Sequence, residues 1–465
     1  MLLRKALPEI ISYIDSLNAL MSDEHPNWVL TKCQRLWLGF VLSCMLISNS
    51  INWQLFERIT LGQISFSSYC WMFHHGKILW DQLISLSIKL IIKKYRLTQG
   101  VLIIDDTDRP RSKRTNKIEH VHIIKDKSTN GFLSGQNIVF LVIVTDKLTI
   151  PVGFKFYEPD PALKAWKKED KKLRKQKVPK SERPSAPERN PACPTKSAIA
   201  LELVSDFNLT FPEFSVKAVL ADGLYGYNNF LEGAAAIYPS QVMSQLRNNQ
   251  LVKGKGDDKY ISLVKYFKSK TAQFSQISIR GGDKQPVRYA SANLYIKSQG
   301  KTRRVVALKY DGEDEYRYIV VTNENWLVTT IVQTYTLRWL VEVFFYDWKE
   351  NEGWAKMAKQ QRAEGSSQGV ILSVLLDHCL LLHSSQTARI ESKLPAYTVG
   401  SLRAKLCVES IVQFVEDTLD SKDPISELSH LKVRTDALVK LMPSKKHMNN
   451  RALDVFQDDN LQAAA

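Results

Sequence analysis

Cysteine is scarce and unpaired in this sequence. Cys33, Cys44, Cys70, Cys193, Cys379 and Cys407 are spread over 465 residues with no Cys-x-x-Cys pair and no Cys/His spacing suited to zinc. That excludes a disulfide scaffold and a zinc module, and predicts reduced, mostly buried thiols. Long apolar runs are missing as well. The charge-free stretch from Leu36 to Phe56 carries Ser43, Ser48, Asn49, Ser50, Asn52 and Gln54 in its second half. A lipid-facing helix would leave those polar groups in hydrocarbon, so the stretch reads as buried in protein and no membrane partner is expected. Arg4, Lys5, Pro8 and Glu9 interrupt the apolar start, which removes the continuous run of a signal peptide and predicts a cytoplasmic protein. Acidic excess is absent too. Lys and Arg number 64 against 48 Asp and Glu, a net +16, and such a balance points to a polyanionic partner.

What is present falls into segments. Residues 1–97 show helical apolar spacing broken by Ser-rich turns and predict a helical domain whose basic ends hold DNA. From Gly100 the pattern becomes β-branched: VLIIDD, then QNIVFLVIVTD and LTIPVGFKFYE joined as a hairpin at Asp146-Lys147. Helix 196–207, strand 216–222 and helix 227–236 follow, so residues 98–248 predict a mixed α/β sheet covered by helices. A segment at 164–196 interrupts it with twelve Lys/Arg, four acids and five prolines, and reads as an extended, mobile basic loop. Residues 249–325 read as an all-β insertion subdomain. Its stretch 249–322 holds fifteen Lys/Arg and seven acids, so the two segments together carry the chain's entire net charge. Residues 326–353 predict one long helix, and 354–465 a helical C-terminal region.

The candidate chemistry centres on that long helix. At ~100° per residue, Tyr335, Arg338, Glu342 and Lys349 fall within about 60° of one another, opposite an apolar stripe that seats the helix on a core. Asp106 ends the strand VLIIDD, and Asp222 follows the strand VKAVLA. Three carboxylates from distant positions suffice to hold two divalent cations about 4 Å apart, which neutralise the attacking and leaving oxygens of a phosphodiester. Asp105 and Asp108 flank Asp106, so the register of the first acid is open. Alternation along the strand leads us to expect Asp105 to point away from the metals. His120 and His122 lack a third ligand partner and read as structural.

The pattern Tyr-x2-Arg-x3-Glu-x6-Lys in YTLRWLVEVFFYDWK, with VLIIDDT and VLADGLYG, resembles the signature of bacterial insertion-sequence DDE transposases of the cut-and-paste, hairpin-forming group. The resemblance covers roughly residues 100–353. It implies a ribonuclease H-like mixed-sheet core with a β insertion, flanked by helical N- and C-terminal regions. It assigns Asp106, Asp222 and Glu342 as catalytic and metal-holding, with two Mg2+ and Mn2+ as a substitute. Tyr335, Arg338 and Lys349 become transposon-end contacts. Tyr318 stands where relatives carry a Trp that stacks on a flipped base, a departure from the pattern, with Trp326 the nearest substitute. The implied function is metal-dependent cleavage of transposon-end DNA, through hairpins, and 3′-OH transfer into target DNA by a homodimer on paired ends, in a bacterial nucleoid. A ribonuclease H-like nuclease without strand transfer and a non-catalytic DNA-binding regulator are the alternatives.

Overall fold

The computed structural model describes residues 2–111, 118–126, 129–279, 282, 284–354 and 362–439. Residues 440–465 of the expected C-terminal region lie outside the described residues. Five helices open the chain: α1 (Pro8–Glu24), α2 (Lys32–Ser48), α3 (Trp53–Ile59), α4 (Phe66–His75) and α5 (Trp80–Tyr95). The charge-free stretch is therefore two helices. Asn49, in the left-handed region, ends α2, and Asn52 caps α3 by accepting from Leu55 N at 3.2 Å, so the axes turn by 94°. Short side chains that compete for backbone hydrogen bonds make that break. Among the described residues no single helix is long and apolar enough to cross a membrane.

The sheet follows: β1 (Gln99–Pro110), β2 (His122–Lys125), β3 (Phe132–Val144) and β4 (Thr149–Tyr157), then helices α6 (Pro161–Lys175) and α7 (Lys196–Thr210), strand β5 (Ser215–Ala221), helix α8 (Asn228–Ile237) and strand β6 (Gln241–Leu246). Strands β4, β3, β1, β5 and β6 lie side by side in that order, with β3 antiparallel to its neighbours and β5 and β6 parallel to β1. This is the ribonuclease H-like arrangement. Parallel strands need both faces covered, and β1 shows it. Val101 and Ile103 join one buried cluster with the helices of the two chain ends, while Leu102 and Ile104 join another with α7 and α8.

The inserted strands join the same sheet. They are β7 (Leu251–Lys253), β8 (Ile261–Ser262), β9 (Gln273–Ser278), β10 (Lys284–Ile296), β11 (Lys301–Tyr310) and β12 (Arg317–Val321), with the short helix α9 (Leu263–Lys268) among them. Strand β12 pairs antiparallel with β6, Tyr318 opposite Leu246, and the order then runs outward through β11 and β10 to β7 and β8.

Two expectations change at the local level. The basic segment is helical in its first half: Asp160 accepts from Ala162 N at 2.9 Å and Leu163 N at 3.2 Å and caps α6, and Pro161 sits in the first turn, where proline is tolerated. All five prolines between 164 and 196 lie at 179 or beyond, and that second half folds back on α6 through Arg183 to Asp170 at 2.7 Å and Trp166 Nε1 to the Pro184 carbonyl at 2.8 Å. The long helix is also two, α10 (Val328–Thr336) and α11 (Trp339–Glu350). The amides of Leu337, Arg338, Leu340 and Val341 each bond three residues back, a 3₁₀-type turn that breaks the α register.

Helices α12 (Arg362–Leu381), α13 (Ser384–Glu391), α14 (Val399–Leu419) and α15 (Pro424–Leu438) complete the fold. A buried polar chain fastens the two chain ends to the sheet: Tyr13 and Ser87 at 2.6 Å, Ser87 and His378 at 2.7 Å, and His378 with the Pro151 carbonyl at 2.9 Å. Burial pulls His378 down to about 4, so it is neutral in this chain. Beyond α11, Gly353 turns with φ +86°, donates to Asn49 Oδ1 at 2.7 Å and lies against Ser50. A Cβ there would sit 3.3 Å from Ser50 N. Gly353→Ala is expected to destabilise by about 1–2 kcal/mol, the cost of a left-handed L-residue, read as a lower urea midpoint with unchanged slope.

Candidate active site

The carboxylates gather where β5 ends beside the middle of β1: Ile104 pairs with Ala221, and β1 runs on to Pro110, so Asp106 lies within the strand and does not end it as expected. Asp222 follows β5 directly; its Oδ1 accepts from Leu224 N at 2.8 Å, and its carbonyl accepts from Ser244 Oγ at 2.6 Å, so the turn is fixed from both sides. Asp105 is buried on β1 and faces helix α11, where Arg338 Nη1 donates to its Oδ2 at 2.8 Å. Arg338 also reaches Glu342 Oε1 at 3.6 Å, one helical turn on. Lys349, two turns beyond Glu342, donates to Thr107 Oγ1 on the same strand face. These groups line one open cavity of about 750 Å³ with Asp222 and Asp106.

Asp106 faces the other way. Its Oδ2 accepts from Lys196 Nζ at 2.6 Å, at the start of α7, and it opens on a neighbouring cavity of about 580 Å³ lined also by His122, Lys164, Lys167 and Asp222. Alternation does separate the two aspartates, but with the opposite sense from our expectation: Asp105, not Asp106, shares a face with Glu342. The reason is the register of β1. Val101 and Ile103 pack on the side of α11, so the next odd residue emerges there.

Electrostatics agree with that grouping. Burial pushes the Asp105 carboxyl up to about 7; Asp222 and Glu342 add to the rise and Arg338 opposes it. Burial raises Asp222 also, with Asp106 adding to the rise and Leu224 N, Arg338 and Lys196 opposing it. Each like charge in a half-desolvated site penalises the ionised form. Among the described residues no group of three or more His, Cys, Asp or Glu side chains is drawn tightly enough to hold a metal ion; Arg338 and Lys196 occupy the aspartates instead.

The remaining expected residues divide. Arg338 and Lys349 line the cavity. Tyr335 belongs to α10 and is buried, its hydroxyl donating to the Ala221 carbonyl at 3.3 Å. It lies beneath the acids rather than on the cavity wall: Arg338, Asp222 and Asp105 are the charges that act on its hydroxyl. Tyr318 is 3% exposed and packs on Phe267 at 5.6 Å between centroids, so it offers no face to a base. Trp326 is half-buried. His120 pairs with Glu158 at 2.6 Å and His122 with Asn137 at 2.8 Å, consistent with structural roles. Sequence reasoning missed Lys196, which no spacing connects to a residue 90 positions away, and the loop residues Arg247 and Asn248 on the cavity wall.

The family model described as DDE superfamily endonuclease matches residues 62–258, a span that holds Asp105, Asp106 and Asp222 and stops before Glu342. Among solved structures, a cryo-EM structure of piggyBac transposase synaptic complex with hairpin DNA is similar at 11% identity with a TM-score of 0.44, covering 96% of this chain and 87% of that one. No curated sequence matches the chain at a significant level.

A native carboxyl near 7 against an ordinary value of 3.8 binds more protons folded than unfolded between those limits. Stability then falls as pH rises through that window and levels above it. Asp377, also raised to about 7 by burial, acts in the same sense. Asp105→Asn is therefore expected to flatten the dependence of unfolding free energy on pH between 5 and 7 by at most one proton's worth, about 1.4 kcal/mol per pH unit. Urea titrations of both proteins at several pH values, without divalent metal, check this.

Proposed function

We propose that this chain is a DNA transposase that cleaves the ends of a mobile element and joins the freed 3′-OH to target DNA. The single observation that carries the reading is the approach of three carboxylates from β1, β5 and α11 to one open cavity on a ribonuclease H-like sheet. The match to a DDE endonuclease model supports the nuclease half, and the Tyr-Arg-Glu-Lys spacing supports the bacterial insertion-sequence group. The acids we assign are Asp105, Asp222 and Glu342. Asp106, held by Lys196, flanks them.

The donor set fits a hard divalent cation. It is all oxygen, and Asp105, Asp222 and Glu342 share the single cation Arg338, an anionic cluster only partly compensated, of the kind such an ion neutralises. Asp105, Asp222 and Glu342 would hold Mg2+ or Mn2+. When bound, the ion supplies charge neutralisation at the scissile phosphate. The chain's own groups do the rest. The turn at Asp222 fixes one carboxylate against β6, α11 carries Glu342 over β1, and Arg338 and Lys349 stand on the cavity wall where phosphates would compete for them. Hairpin formation stays part of the proposal on the resemblance alone, and with Tyr318 buried the stacking ring is assigned to Trp326. A homodimer on paired ends, and DNA binding by the N-terminal helices, complete the reading.

The test is incubation of the purified protein with Mg2+ and DNA carrying the terminal sequences of its element, resolved on a denaturing gel. Asp105→Ala, Asp222→Ala and Glu342→Ala are each expected to lower cleavage by roughly a thousandfold or more, the several kcal/mol a lost metal site removes, with end binding retained. Asp106→Ala should stay within about tenfold. Equal loss in Asp106→Ala and none in Asp105→Ala would return the first acid to Asp106.

Because a proton near pH 7 competes for Asp105, metal affinity should climb by up to about tenfold per pH unit below 7 and level above it. Calorimetric Mn2+ titrations between pH 6 and 8 should show this rise, and Asp105→Asn should abolish it.

A further inference from the structure

Resting on the DNA reading above, we infer that the outermost inserted strands form a lysine–tyrosine platform that holds the phosphates of the DNA strand leaving the catalytic cavity. Lys253, at the end of β7, places its ammonium 5.3 Å from the Tyr260 ring centroid and 5.7 Å from that of Tyr295, and Lys297 lies 5.1 Å from Tyr260. The two rings are themselves neighbours at 6.3 Å. Tyr260 is 36% exposed, and Lys297, Lys255 and Lys259 are exposed around it.

Three features separate this patch from an ordinary solvated face. On the neighbouring strand β11 Lys301 and Arg303 both pair with Glu232, and on β12 Arg317 pairs with Glu313. Among the described residues none of Lys253, Lys255, Lys259 and Lys297 is in an ion pair, so their charge is left for an external anion. A ring quadrupole beneath an ammonium holds that charge in place at a low ordering cost while leaving its outer protons free. The platform is also joined to the site along the chain. Arg247 and Asn248 line the catalytic cavity, and Leu251 to Lys253 follow within five residues. Ammonium groups held beside flat rings suit a sugar-phosphate strand, whose contacts are independent of sequence.

The experiment compares wild type with Lys253→Gln/Lys297→Gln, using a 30-bp fluorescein-labelled duplex in 50–300 mM NaCl, with nicking of supercoiled plasmid in Mg2+ by the wild type as a control. Loss of two phosphate contacts is expected to reduce the slope of log K against log salt by about 1.8 and to weaken binding ~10-fold or more at 0.1 M salt. Unchanged slope and affinity in the double variant, with a wild type that binds and nicks, would overturn the platform alone. A wild type that neither binds nor nicks would overturn the DNA reading itself. Should the double variant melt early, Lys255→Gln/Lys259→Gln, in the exposed adjoining loop, gives the same comparison.

Discussion

The apolar half of strand β1, residues 100–104, has water on neither face, and most of the site's geometry follows from that. Its apolar residues divide between a cluster shared with the helices of both chain ends and a cluster shared with α7 and α8. The strand cannot slip by one residue without exchanging the two sets. The acids at its end inherit that fixed alternation. Asp105 is committed to the side of α11 and Asp106 to the side of α7, and each meets the cation its own face supplies, Arg338 or Lys196.

A cluster built this way works against the fold that holds it. Asp105 is buried beside two other carboxylates, and Arg338 alone cannot offset the desolvation, because the carboxyl still rests near 7. The surrounding structure over-determines the geometry. Asp222 is tied through its side chain and its carbonyl. Helix α11 is seated by Phe344, Phe345 and Trp348 around Phe140 of β3, and Trp348 stacks on Trp354 at 4.4 Å. Aromatic packing of that kind stabilises by kcal/mol through buried area, enough to hold like charges together until a counter-charge arrives.

Much of this was legible in the sequence, and the failures have physical causes. The strand hairpin at Asp146-Lys147, the helices at both ends, the acids of β1 and the acid following β5 could be read because each depends on local pattern. The choice between Asp105 and Asp106 could not, since VLIIDD is apolar on both faces and gives alternation without a direction. The break between α10 and α11 could not, because residues 326–352 hold no Gly or Pro to mark the place where the backbone tightens at 337–341. The stacking place of Tyr318 comes from the resemblance alone, and no local pattern foretells that the ring is buried against Phe267. In the basic segment, proline content was averaged over 33 residues while the prolines themselves stand at 179 and beyond, leaving α6 a proline-free body behind its capped first turn.

The placement of basic charge follows from the same carboxylates. An anionic cluster repels the polyanion it is to act on, so cations must lie close enough to offset it. At physiological ionic strength exposed charges are screened beyond ~8 Å, and net charge spread over the surface would not serve. Lys164 and Lys167 of α6 line the cavity next to Asp106, and Lys196 touches that carboxylate. Farther along α6, Asp170 is taken up by Arg174 and by Arg183 of the segment that folds back on the helix. The cations within one Debye length of the acids, rather than the chain's total of +16, therefore set the field a phosphate meets on entering the cleft.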